Sequence, residues 1–75
     1  MVVPEDEFLE TFREHLRKLV KADDYSVAGI SRESGVKPLV IWNLIGDKPK
    51  IPMPSAYTVY ALSVYFGVTA DELML

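Results

Sequence analysis

Lys37, Asn43, Lys48 and Lys50 lie within fourteen residues of one another near the middle of a 75-residue chain. A lysine ammonium can bond a phosphate or the acceptor edge of guanine, and an asparagine amide can bond adenine or a phosphate. Leu39, Val40 and Trp42 stand among them, and their chemistry extends at most to thymine methyls and sugars. Catalytic chemistry has less to work with. The chain has no Cys and a single His15, with no nucleophile, carboxylate cluster or second ligand beside it. It also lacks a phosphate-cradling Gly-rich loop, so neither an enzyme, a metal site nor a cofactor is expected.

Charge alone opposes an anionic partner, because the chain carries net −3 with a pI near 4.9. Its distribution is uneven, however. Residues 1–25 hold seven of the eleven acids, whereas residues 26–50 hold Arg32, Lys37, Lys48 and Lys50 against Glu33 and Asp47. The middle of the chain is therefore locally, if modestly, basic. A hydrophobic content of 49% suffices for one small core, and without Cys no disulfide can reinforce it. No apolar run approaches the ~20 residues needed to cross a bilayer, and the start, MVVPEDEF, is acidic where a signal peptide is basic. These features predict a single domain, residues 1–75, in the cytoplasm.

The elements that must position the candidate residues follow from apolar spacing and caps. Phe8, Leu9, Phe12, Leu16, Leu19 and Val20 recur at three- and four-residue steps and predict a helix over 5–22. Its acidic first turn and its Arg17, Lys18 and Lys21 suit the helix dipole, and Glu14 and Lys18 form an i,i+4 pair. Ser26 can cap a helix over 27–34, and Gly35 stands where that helix must turn. Gly29 inside it costs roughly 1 kcal/mol against Ala, which close approach to another element would explain. Pro38 opens a helix over 38–45. With Ile41, Leu44 and Ile45 facing the core, the 100° step per residue turns Leu39, Trp42 and Asn43 outward. Trp42 has three readings: a DNA face, a protein contact, or a core residue folded back onto the domain. GDKPKIPMP is a proline-stiffened loop holding Lys48 and Lys50. Ser55 caps a helix over 56–66, with a core stripe of Val59, Leu62 and Phe66 broadened by Tyr57, Tyr60 and Tyr65. Thr69 and Glu72 form a capping box for a last helix over 70–75. That helix has hardly begun where the chain stops, which leaves open a longer parent protein or an apolar end packed on the domain or on a second copy.

The order Ile30-Ser31, Gly35-Val36, Ile41, Leu44 and Gly46, followed by PSAYTVYALSVYFGVTADEL, resembles the lambda-repressor-like (Cro/phage repressor, XRE-type) DNA-binding domain over roughly residues 12–75. The resemblance implies an all-α, compact five-helix fold with a helix-turn-helix formed by helices two and three. It implies sequence-specific binding of double-stranded DNA, as a phage- or prophage-type repressor or its N-terminal domain, by a homodimer on a near-palindromic operator. No membrane or small-molecule substrate enters that picture. Carried over residue by residue, base contacts fall on Lys37, Leu39, Trp42 and Asn43, and backbone contacts on Ser26, Val27, Val40, Lys48 and Lys50. Family members often begin helix two with Gln. This chain has Val27, so only the backbone amides of the helix N-terminus remain for that phosphate. The acidic pI, Val27 and the apolar third helix also suit an alternative, a protein-interaction module that keeps the fold without binding DNA.

Overall fold

In the computed structural model, which describes residues 2–75, five helices follow in order: α1 (Glu5–Ala22), α2 (Val27–Ser34), α3 (Pro38–Ile45), α4 (Ala56–Phe66) and α5 (Ala70–Met74). Met1, part of the expected 1–75 domain, lies outside the described residues, among which there is no strand and no helix long and apolar enough to cross a membrane. The helix limits agree with those expected from spacing and caps, except that α5 ends one residue early.

Local chemistry accounts for those limits. Ser26 Oγ accepts from the Gly29 amide and Ser55 Oγ from the Thr58 amide. Thr69 and Glu72 form both halves of the capping box, at 3.0 Å from the Glu72 amide to Thr69 Oγ1 and 3.4 Å from the Thr69 amide to Glu72 Oε1. Gly35 ends α2 at φ 83°, a left-handed conformation that costs Gly least, and its amide bonds back to the Ser31 carbonyl. Gly35, Val36 and Lys37 then make a three-residue turn into α3.

The core is one cluster drawn from every helix: Phe12 and Leu16 of α1, Ile30 of α2, Ile41 and Leu44 of α3, Leu62 of α4 and Leu73 of α5 are among its fully or almost fully buried members. α1 packs on α3 and α5, and α2 on α3 and α4. His15 is half-buried and pairs through Nδ1 with the Leu73 carbonyl, tying α5 to α1. Tyr65 donates its hydroxyl to Asp23 at 3.1 Å. Desolvation first, then that bond, holds Tyr65 above the usual tyrosine range.

Two expectations about packing need correction. Tyr57 and Tyr60 do not broaden the α4 core stripe, since they are 61% and 63% exposed, and the buried face of α4 runs instead through Thr58, Ala61, Leu62 and Ser63. Gly29 does not make room for another element. An added Cβ there would lie 3.0 Å from the Cβ of Tyr25, four residues back along its own chain.

Candidate nucleic-acid interface

α3 presents two unlike ends. Its start has Lys37 as N-cap with no side-chain cap bond, Pro38 in the first turn, and Leu39 and Trp42 standing 69% and 57% exposed. That exposure removes the core reading of Trp42. Ile41 and Leu44, on the opposite side, are buried, and Ile45 is half-buried against the same core.

The far end of α3 is held by two arginines of α1. Arg13 is only 6% exposed, and its guanidinium donates to four carbonyls: Nε to Leu44 at 2.9 Å, Nη1 to Lys48 at 2.6 Å, and Nη2 to Asn43 and Gly46. Arg17, one turn later, donates to the Ile45 carbonyl at 3.1 Å and the Gly46 carbonyl at 2.7 Å. The last carbonyls of a helix have no intrahelical partner and carry its negative dipole end, so two cations there satisfy both needs together. Arg17 therefore serves the dipole of α3 and not that of α1, as its place in the sequence suggests. Burial first, then the nearby Arg17 charge, lowers the pKa of Arg13, with Asp47 opposing. Gly46 is required at this junction, because an added Cβ would lie 2.8 Å from the Trp42 carbonyl.

The nine residues singled out in the sequence fall on three different surfaces. Ser26, Val27 and Trp42 line one open concavity with Val20, Tyr25, Ala28, Pro38 and Ile45, and no charged side chain is among these residues. Val27 is also a member of the core and only 7% exposed. The amides of Val27 and Ala28, in the first turn of α2, have no intrahelical acceptor and carry the positive end of the helix dipole, which suits an anion. Lys37 and Leu39 are exposed on the neighbouring start of α3. Val40 and Asn43 are half-buried and line a second concavity with the loop residues Ile51, Pro52, Met53, Pro54 and Ser55. Lys48 and Lys50 line a third, over the first half of α1, together with Arg13 and Arg17 and with the carboxylates of Asp6, Glu10 and Asp47. The expected backbone contacts are thus divided, with Ser26 and Val27 beside Trp42 and the loop lysines in a separate concavity of mixed charge.

Arg13 and Arg17 are the positioning residues that the sequence reading leaves without a role on α3. Two signals point to them: α3 has no basic residue in its last turn, and Arg13 sits between Phe12 and Leu16 next to the apolar stripe of α1. The chain matches no family model, and neither a curated protein nor a solved structure shows significant similarity to it.

Proposed function

We propose that the chain is a sequence-specific DNA-binding domain of the lambda-repressor-like helix-turn-helix type, a phage- or prophage-type repressor or its N-terminal part, working in the cytoplasm as a homodimer. The observation that carries this reading is the shared concavity of the α2 N-terminus and Trp42, with Lys37 and Leu39 beside it. A phosphate received by the amides of Val27 and Ala28 would leave the start of α3 free to enter the major groove. The clamp of Arg13 and Arg17 supports the reading, because a recognition helix must be held at a fixed angle for its side chains to keep register with base edges.

A small domain of net negative charge makes few phosphate contacts, so two copies are needed for useful affinity. Two heads on one face of B-DNA stand about 34 Å apart, which requires a near-palindromic operator with half-sites roughly one helical turn apart. Selection from random duplexes at low salt tests this directly. Enrichment of a near-palindrome with that spacing is expected, and no enrichment of any sequence would count against DNA binding.

One observation favours the second reading, a protein-interaction module. α4 carries no charged residue and exposes Tyr57, Tyr60 and Val64 at i, i+3 and i+7, an uncharged stripe suited to a protein surface. A protein complex lost on Tyr60→Ala or Trp42→Ala with the fold intact, from a chain that binds no duplex, would establish that module instead.

A further inference from the structure

Resting on the DNA-binding reading, we infer that Leu39 and Trp42 make this chain a reader of thymine C5-methyl groups, so that its half-site is thymine-rich on the strand facing the start of α3. α3 runs PLVIWNLI and contains no charged residue. It has no guanidinium to fork onto guanine and no carboxylate to accept from the cytosine amine. Its one amide, Asn43, is half-buried beside the loop Ile51–Ser55. What α3 offers outward is Leu39 and Trp42, three residues apart on one face and both more than half exposed. Among the four bases only thymine places a methyl group in the major groove, so an apolar face discriminates there by burying that methyl.

The surroundings favour a nucleic acid over a protein as occupant of this apolar face. Lys37 stands two residues before Leu39; Ser26, Val27 and Ala28 at the start of α2 line the same concavity as Trp42, and no carboxylate lines it. Cationic and amide groups rimming an apolar centre match phosphates rimming base edges.

Replacing single thymines of the selected site by deoxyuridine removes the methyl and leaves every hydrogen-bonding group in place. For the unmodified protein, one or more positions should lose affinity by about fourfold, the equivalent of ~0.8 kcal/mol for one buried carbon. Leu39→Ala or Trp42→Ala should make the corresponding position indifferent to the exchange, in a double-mutant cycle with protein and methyl as its two arms. Leu39 and Trp42 are exposed, so both variants are expected to fold, and melting curves check this. Binding unaffected by uracil at every thymine overturns the inference while leaving DNA binding intact. A uracil penalty kept in full by both variants also overturns it, because the penalty then belongs to DNA shape. Absence of binding to any duplex overturns the inference together with the reading beneath it.

Discussion

The two ends of α3 differ in kind. At its C-terminal end Arg13 and Arg17 supply six hydrogen-bond contacts to five backbone carbonyls between Asn43 and Lys48, and one of the two guanidinium groups is buried. At its N-terminal end Lys37 makes no side-chain cap, and Leu39 and Trp42 face solvent. One end is specified by the rest of the protein, and the other is left for something else to meet. A helix anchored at one end and open at the other is a presented element, and the difference separates residues whose loss should cost stability from those whose loss should cost binding.

The largest expected effect is at the anchored end. Arg13→Met removes a buried, charge-assisted donor set and strands the carbonyls of Leu44, Asn43 and Lys48, so unfolding in urea should show a loss of about 3 kcal/mol. Arg13→Lys should recover little of this, because one ammonium cannot reproduce a fork that spans four carbonyls. Arg17→Ala, at an exposed site, should cost about 1 kcal/mol by the same measurement, since Gly46 keeps its bond from Arg13. A loss as large as that of Arg13→Met would erase the distinction between the buried and exposed parts of the clamp.

At the open end the expected stability change is smaller. Trp42→Ala should cost less than about 1 kcal/mol, against ~3–5 kcal/mol for a Trp truncated in a core. A melting curve displaced as far as the core value would contradict the exposed placement. Lys48→Ala should leave stability within about 0.5 kcal/mol, because Arg13 bonds the Lys48 backbone and not its side chain. On a selected duplex it should flatten the log-log salt dependence by less than about one unit, because Lys48 lines a different concavity from Ser26, Val27 and Trp42.

The helices are legible in the chain because four of the five starts carry a local signal, hydroxyl caps at Ser26, Ser55 and Thr69 and a proline opening α3, while apolar spacing marks α1 and Gly35 marks the end of α2. Spacing sets Tyr65 against the core, where it is, but misplaces Tyr57 and Tyr60, because AYTVYALSVYF has no charged residue and a pattern apolar all round does not say which face is buried. There the small residues Thr58, Ala61 and Ser63 are buried, and the rings of Tyr57 and Tyr60 remain outside. The arginine clamp was hidden for a different reason. Its bonds join residues about thirty positions apart, and the backbone carbonyls that receive them leave no mark in the sequence. Within the proposed interface, the 100° rule placed Leu39 and Trp42 outward correctly. It could not show that Asn43 would be half-covered by the proline loop, nor that Lys48 and Lys50 would lie over acidic α1 instead of beside Trp42.

The central claim is that the open end of α3, together with the first turn of α2, is the surface that meets DNA. Backbone amide chemical shifts recorded during titration with a selected duplex test it most directly. The account predicts the largest changes at Val27, Ala28, Lys37, Leu39 and Trp42, with the Trp42 indole shifting among them, and small changes along Tyr57, Tyr60 and Val64. Shifts centred on that α4 stripe, or none at a duplex concentration that saturates binding by another measure, would contradict it.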